Sequence, residues 1–364
     1  MSDNFRTVLS QFKLVEEDMK RIVVVFSLAC IALPLFADDA MVLPAKVFRL
    51  TIAPSYGMVP GTYNTSGSYS TYSSGQGSVT AFNMGFALEY GFNDWISGAV
   101  QWTPGWNVTS SVDYAGMHAN VNGLNAAFVG AKVQLVGEKA PIKSETIRFC
   151  PALGVKVPFG GLDFSQQYTN YQNGSNVTVI NNDKQTLGVG GRIYADVIFS
   201  SAFYLNLFSE FIYYPGKVAF KDVSFANYAT YLTYLGFGVT FNPDVSYGYD
   251  LKVELEPHYI YSLSDAIQLE GSLPVTYFYF PGQLWNGAAP SLPLGGGSVE
   301  TSEAQFILTP TVSVFLLKSP IPFPVRLKLA YSFPVVGWNT TTQYGDKAAT
   351  NALILILQMY LKFF

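Results

Sequence analysis

The chain has 364 residues, of which 49% are apolar by type, 16% are aromatic and only 13% are charged. An ordinary soluble domain carries about 25% charged residues. The formal net charge is −4 and Lys and Arg form no cluster, which argues against a nucleic-acid partner. After the N-terminal apolar run, no segment reaches the roughly 20 unbroken apolar residues of a spanning helix. The composition therefore favours an all-β protein whose strands face lipid.

The N-terminal segment predicts export. Met19, Lys20 and Arg21 begin a basic region, an apolar run follows over residues 22–36, and Ala37 precedes two aspartates. This order is that of a secretory signal peptide, which we assign to residues 19–37. Residues 1–18 fit no signal peptide and are predicted to be a mis-assigned N-terminal extension. The mature domain is then 38–364.

The chain has two cysteines, Cys30 and Cys150. A lipoprotein-type cleavage before Cys30 is the alternative to the signal peptide, but the apolar run continues past it. With Cys30 removed, Cys150 stands alone in the mature chain. We therefore expect neither a disulfide nor a cysteine-based metal site.

Apolar and polar residues alternate along many segments, as in strands that face lipid on one side and a lumen on the other. In 249–259 the odd positions are apolar or aromatic up to the proline, whereas the even positions are charged. A helix would scatter those charges around its circumference. Similar segments begin at Phe48 and Phe82, and most are long enough to cross a bilayer. The others are Trp95–Trp106, Leu124–Val136, Ile147–Phe159, Leu187–Phe199, Phe203–Tyr214, Ile267–Phe280, Gln305–Leu316, Val325–Val335 and Leu353–Phe363.

Short and long connections alternate along the chain, a pattern typical of barrels with short periplasmic turns and long extracellular loops. The short ones are 91–94, 200–202, 262–265 and 318–324, and the long ones are 61–78, 108–122, 160–185, 283–303 and 337–351. Pro-Gly pairs at 60–61, 104–105, 215–216 and 281–282 are predicted to mark the rim, because proline has no N–H for the ladder.

These patterns predict a single antiparallel transmembrane β-barrel with an even number of strands, since both ends lie on the short-turn side. The number is 12, or 14 if Val218–Phe225 pairs in the wall with Tyr228–Phe241. Lys221 and Asp222 disfavour 14 strands, and the regular alternation of 228–241 disfavours 12. Leu353–Phe363 is predicted to pair with Phe48–Tyr56 and close the barrel.

Charged residues on the inward faces have two interpretations. They form either an interior salt-bridge network that partly fills a small barrel or a pathway for polar solutes. A charge in a wet lumen costs little, whereas a lipid-facing charge at mid-bilayer costs about 2–4 kcal/mol. The acidic stripe on 250–258 is the strongest candidate for solute contact. The predicted lumen and solute-contact residues are Asp250, Lys252, Glu254, Glu256, His258, Arg49, Glu89, Arg148, Arg192, Asp196, Glu210, Glu270, Arg326 and Lys328.

Enzymatic function is not expected. The chain has two histidines, His118 and His258, and no serine elbow, phosphate loop or zinc motif. Glu254, Glu256 and His258 share one strand face and could hold a metal or relay a proton, but the neighbouring Lys252 favours an ion-pair cluster. We predict no catalytic residues, cofactor or metal.

The signal peptide, the YGFND turn at 90–94 and the aromatic C-terminus resemble bacterial outer-membrane β-barrel proteins, spirochaete ones among them. In size the chain resembles uptake barrels of the fatty-acid transporter type, although their Asn-Pro-Ala plug motif is missing. The resemblance implies residence in outer-membrane lipid and insertion by the barrel-assembly machinery, which would recognise Phe363 and Phe364. Lys362 stands where that signal usually has a second aromatic residue.

The expected function is a porin-like outer-membrane channel for passive uptake of small solutes through a mixed-charge lumen. The first alternative is a transporter for hydrophobic ligands such as fatty acids. The second is a surface adhesin or a structural barrel, because the long loops are rich in Tyr, Ser, Asn, Thr and Gly.

Overall fold

A computed structural model describes residues 40–64, 66–71, 77–114, 117–124, 126–158, 177–179, 186–219, 223–224, 240–241, 244–282, 284–288, 302–318, 322–339 and 347–362. The predicted extension and signal peptide lie outside these residues, as do Phe363 and Phe364, so those assignments stay predictions. Within the described ranges, no helix is long and apolar enough to cross a membrane.

The described structure consists of 22 β-strands. They are β1 (Val47–Tyr63), β2 (Tyr69–Thr71), β3 (Gly77–Asn93), β4 (Ile96–Tyr114), β5 (Met117–Leu124), β6 (Ala127–Val133), β7 (Ile147–Val157), β8 (Val177–Val179), β9 (Gly188–Ile198), β10 (Phe203–Tyr214), β11 (Val218–Ala219), β12 (Val223–Ser224), β13 (Thr240–Phe241), β14 (Asp244–Ser246), β15 (Gly248–Ser264), β16 (Ile267–Ser272), β17 (Val275–Phe280), β18 (Leu284–Trp285), β19 (Glu303–Leu308), β20 (Thr311–Leu316), β21 (Val325–Asn339) and β22 (Lys347–Lys362).

Fifteen of these strands form a closed antiparallel barrel with twelve positions around its wall. The strand, or the two strands in line, at each position is here called a stave. Nine staves are single strands, and three are pairs in line: β5 with β6, β16 with β17, and β19 with β20. Each stave pairs with the next along the chain, and β22 returns to β1. The prediction of an all-β barrel with 12 strands is therefore confirmed.

The alternative of 14 strands is wrong. β12 pairs with β13 in a two-stranded sheet of its own, outside the barrel sheet. The predicted strand 228–241 is described only at Thr240–Phe241. Alternation alone could not separate a wall strand from an external hairpin, because both have one exposed and one covered face.

The closing pair is also confirmed. Phe48 lies opposite Leu361 and Tyr56 lies opposite Leu353, in antiparallel register. These apolar residues share the outward frame on both strands, so the seam continues the lipid-facing surface without an open edge. A barrel closed in this way satisfies its backbone hydrogen bonds internally, which the bilayer requires.

Burial follows the predicted alternation. Along β15, His258 is 1% exposed whereas its neighbour Tyr259 is 58% exposed. Large apolar side chains cover the outside of the wall, and Leu153 reaches 76% exposure. Such a continuous exposed apolar band is the lipid-facing surface of an outer-membrane barrel. The fold therefore agrees with the predicted location in the bacterial outer membrane.

Two of the four predicted rim positions are wrong. Pro60 and Gly61 lie within β1, and Pro104 and Gly105 lie within β4. The β1–β22 register shifts between Met58 and Gly61. Next to the other pair, the β3–β4 register shifts between Met84 and Phe86. At such bulges a residue loses its ladder partner, so a proline is tolerated inside a strand. The 215–216 and 281–282 pairs follow the ends of β10 and β17, as predicted.

The strands extend further than predicted on the long-loop side. Most of the predicted loop 108–122 belongs to β4 and β5, which pair from Asn107–Leu124 to Tyr114–Met117. The predicted loop 61–78 contains β2, which pairs back onto the end of β1. A strand can continue through polar residues because its ladder is formed by backbone N–H and C=O groups.

Candidate functional site

The inward faces of the staves enclose a cavity of about 560 Å³ within the lumen, here called the central chamber. Its lining combines charged side chains with aromatic rings and small residues. The charged lining residues are Arg49, Glu89, Lys156, Arg192, Glu210, Asp250, Lys252, Glu254 and Lys328. Eight of these were predicted lumen and solute contacts, and Lys156 was predicted to face inward as well.

Arg192 is a base of the chamber that contacts several side chains. The β9–β10 register places it opposite Glu210, and its Nε donates to Glu210 Oε2 at 2.5 Å. Its Nη1 donates to Gln101, and its guanidinium carbon lies 3.8 Å from the centre of the Phe128 ring. An Arg that is both paired and stacked is held in one orientation. The sequence pattern missed Gln101, because an uncharged inward residue gives no distinct signal.

The residues of the acidic stripe on β15 have different partners and do not all line the chamber. Lys252 Nζ lies 3.0 Å from Glu254 Oε2, and the Thr276 hydroxyl donates to the same oxygen at 2.7 Å. Asp250 accepts a hydrogen bond from the Tyr214 hydroxyl at 2.8 Å. These three stripe residues line the chamber, whereas the remaining two, Glu256 and His258, do not.

A second carboxylate, Glu89, is surrounded by donors. Arg49 binds its Oε2, Lys132 Nζ lies 3.2 Å from its Oε1, and the Ser97 hydroxyl donates at 2.7 Å. The donors come from β1, β6 and β4, while Glu89 lies on β3 between them. Adjacent staves thus bring together opposite charges that are far apart in sequence.

The remaining predicted residues lie toward the short-turn end in two ion-pair groups. In the first, here called the short-turn cluster, His258 Nδ1 lies 2.5 Å from Glu270 and its Nε2 lies 3.2 Å from Glu256. Arg326 binds Glu270, and the Tyr204 ring stacks on His258 at 4.2 Å. These groups neutralise and pack against one another, which supports the interpretation of an interior salt-bridge network for this end.

The second group joins Arg148 of β7 to Asp196 of β9. Arg148 Nη1 lies 3.3 Å from Asp196 Oδ2, and Asn206 Nδ2 donates to Asp196 Oδ1 at 2.7 Å. Asp196 is fully buried, so a donor is needed at each oxygen. The six residues of these two groups were predicted as solute contacts, and their contact with solute stays a prediction.

The residues before β1 fill the short-turn end of the lumen. Leu43 packs in a buried cluster with Val47, Tyr204, Ile260, Phe315 and Tyr360. Ala40 and Val42 pack with Cys150, Ala152, Tyr194 and Phe208. The first strand of the barrel was predicted from near Phe48, and no such segment was predicted before it. The apolar residues 40–43, set off from β1 by a proline, were the available signal.

Gly91 positions this segment. The Lys46 N–H donates to the Gly91 carbonyl at 2.8 Å, and the carbonyls of Leu43 and Pro44 lie directly over the Gly91 Cα. A Cβ at position 91 would collide with both oxygens. Gly91 belongs to the YGFND turn, so the glycine of that turn serves the close approach of the N-terminal segment.

At the other end of the lumen lie residues 244–247, which come directly before β15. Val245 and Tyr247 are buried against Phe128, Ile212 and Tyr214. β14 is held there by β11 on one side and β18 on the other. The chamber therefore lies between this cluster, which is largely aromatic, and the ion-paired groups at the short-turn end.

An apolar groove of about 580 Å³ lies in the outer wall, at the breaks within two neighbouring staves. One break is Leu273-Pro274, between β16 and β17, and the other is Thr309-Pro310, between β19 and β20. The groove is lined by outward residues such as Tyr259, Val312 and Tyr331. Gly271 forms part of the lining, and a Cβ there would meet nothing within 4 Å.

No family model matches the chain, and no curated protein matches it. Among solved structures, it is similar to an outer-membrane channel from Pseudomonas putida F1, with a TM-score of 0.58 and 11% identity over 89% of this chain and 98% of that one. Weaker likenesses include a Pseudomonas aeruginosa FadL homologue (TM-score 0.36, 9% identity, 87% and 90% covered) and the NanC porin (0.35, 8%, 86% and 100%).

The likeness to the Pseudomonas putida channel confirms the fold. Together with the closed barrel and its apolar outer band, it defines the chain as an outer-membrane β-barrel protein, as the resemblance in the sequence implied. At 11% identity it carries no information on the solute. The function has to be argued from the lumen itself.

Proposed function

We propose that this protein is an outer-membrane channel for the passive uptake of small polar solutes. The observation that carries the proposal is the central chamber, whose lining includes five bases and four acids around 560 Å³. Charged groups in a lumen replace part of a polar solute's hydration shell and lower the cost of entry. A barrel with only a structural role could fill its interior with apolar side chains and needs no such cavity.

Conductance of the purified protein in a planar bilayer tests this function. Stable stepwise conductance is the expected result, and a complete absence of steps would contradict the channel. The pathway is tested by Ala53→Trp, because Ala53 lines the chamber and the indole would fill part of it. Ile52→Trp is the matched control, since Ile52 is the next residue on β1 and faces outward. We expect Ala53→Trp alone to reduce the conductance per step by more than half.

The groove in the outer wall favours a second candidate, a transporter for hydrophobic ligands. Its lining is almost wholly apolar and it opens on the lipid side of the barrel. This candidate predicts that a lipid-like molecule co-purifies and is identified by mass spectrometry. Gly271→Leu should displace that molecule by filling the groove, because there is room for the new side chain. Val314→Leu, at an outward position of β20 that does not line the groove, is the control. An empty wild-type barrel would contradict the candidate.

Contact with outer-membrane lipid, insertion by the assembly machinery, and the roles of Phe363 and Phe364 stay proposals. The adhesin alternative depends on loop residues that lie mainly outside the described ranges.

A further inference from the structure

We propose that the central chamber selects small organic monocarboxylates that carry an apolar body. This inference rests on the proposed channel function and names its substrate class. It starts from a contrast of charge. The whole chain has a net charge of −4, whereas the chamber lining has five bases against four acids.

The positive excess increases when the neighbouring side chains are included. Lys132 lies beside the chamber and contacts Glu89 at 3.2 Å, so Glu89 has two bases against it, Arg49 and Lys132. The network then holds six bases and four acids. A cavity with low-dielectric walls focuses such an excess and raises the local concentration of anions.

Each acid of the chamber already accepts hydrogen bonds from the protein. Glu89 has Arg49 and Ser97, Glu210 has Arg192, Glu254 has Thr276, and Asp250 has Tyr214. A cationic solute would have to compete with those donors for the carboxylates. An anionic solute instead adds a negative charge to a chamber whose bases outnumber its acids, so the charge balance favours a carboxylate over an ammonium group.

The uncharged lining indicates the rest of the solute. Phe208, Phe278, Ile356 and three alanines line the same cavity. Lys328 lies opposite Ile356 in the β21–β22 register, so a base and an apolar side chain face the chamber side by side. A carboxylate near Lys328 would leave the body of its molecule against apolar side chains. An inorganic anion would leave that apolar lining uncovered, and a neutral hydrocarbon would have to displace water from the charges.

Flux into proteoliposomes separates these solutes. Benzoate, benzyl alcohol and benzylamine share one ring and differ in charge. For each, the rate of entry into protein-free liposomes is subtracted, so that the rates compared are those through the protein, at low ionic strength, where screening is weak. We expect benzoate to enter about tenfold faster than either analogue, since electrostatic focusing of this kind is worth tenfold or more in rate. Equal rates for the three, or a preference for benzylamine, would overturn the inference. Passage of none of them would instead contradict the proposed channel.

Two substitutions locate the selectivity. Lys328→Gln and Lys156→Gln each remove one base from the chamber, and each should reduce the ratio of benzoate to benzyl alcohol flux several-fold. Having two such variants guards against one that fails to fold. Lys318→Gln makes the same change at an exposed residue outside the chamber and is the control. A ratio that stays at the wild-type value in both folded chamber variants would also overturn the inference.

Discussion

The central chamber and the short-turn cluster contain the same types of charged residue but differ in the space around them. In the chamber, pairs such as Lys252 and Glu254 border open volume, and the Lys252 side chain is 38% exposed. In the short-turn cluster, His258 and Arg326 are each 1% exposed and share Glu270. The side chains of the cluster are buried and contact one another at the short-turn end of the lumen. The difference shows that an inward-facing charge indicates a lumen. A pathway for solutes is indicated only where open volume lies beside the charge.

The largest expected effect is that of Glu270→Ala in the short-turn cluster. It leaves Arg326 and His258 without their shared carboxylate, and loss of one partner from a buried ion pair costs about 3–5 kcal/mol. We expect a marked fall in the temperature at which the barrel unfolds, followed by heat-dependent mobility on a gel. Unfolding at the wild-type temperature would remove the distinction between the two regions.

The next effect concerns the wall that surrounds both regions. Ile52→Lys places a charge on the lipid side of β1 and should cost about 2–4 kcal/mol if the position lies near mid-bilayer. Thr51→Lys makes the same change one residue away, in the chamber lining. Urea titration of both variants should show a large loss of stability for the first and a small one for the second. Equal losses would contradict the assigned faces of the strand.

A smaller change in stability, with a visible change in conductance, is expected for Gly91→Ala. The added Cβ displaces Leu43 and Pro44, and strained small-to-large changes typically cost about 1–3 kcal/mol. Release of the N-terminal segment from the short-turn end should raise the conductance per step. Gly271→Ala, where a Cβ meets nothing, is the matched control. A conductance no higher than wild type would show that residues 40–43 do not limit the pathway.

The smallest effect on stability belongs to Glu254→Gln in the chamber. Its ion pair with Lys252 is partly exposed, and such pairs contribute about 0–1 kcal/mol. The unfolding temperature should stay within a few degrees of wild type, while the reversal potential in a KCl gradient should shift toward chloride. A loss of stability as large as that of Glu270→Ala would contradict the proposed contrast between the regions.

Much of the fold could be predicted because a strand that separates lipid from a lumen must alternate its residues. The pairing of the last strand with the segment Phe48–Tyr56 follows from that alternation together with the even number of strands, while the register was given only by the structure. The strand count remained open because the alternation of residues 228–241 does not tell whether the segment belongs to the barrel wall. Prolines such as Pro104 were misread as ends, since sequence does not reveal a bulge.

The candidate site could be predicted only as a set of inward charges. Which charges meet depends on the register between staves, as when Arg326 reaches Glu270 across β20. The volume of the cavity cannot be predicted from the sequence either, because it depends on how much space the side chains of the twelve inward faces leave between them. The burial of Ala40 and Val42 was missed for a different reason. The apolar segment before the first strand is too short to show the periodicity of a strand or a helix. Its burial depends on the space at the end of the lumen, which the sequence does not reveal.

Cys150 gives the chain a chemical reporter of its own. Its thiol is fully buried between the wall and the N-terminal segment, against Ala40 and Val42. A maleimide that enters from the lumen reaches this sulfur only after that segment moves away. The rate of thiol modification therefore measures how often the short-turn end opens, in the unaltered sequence and without any introduced label.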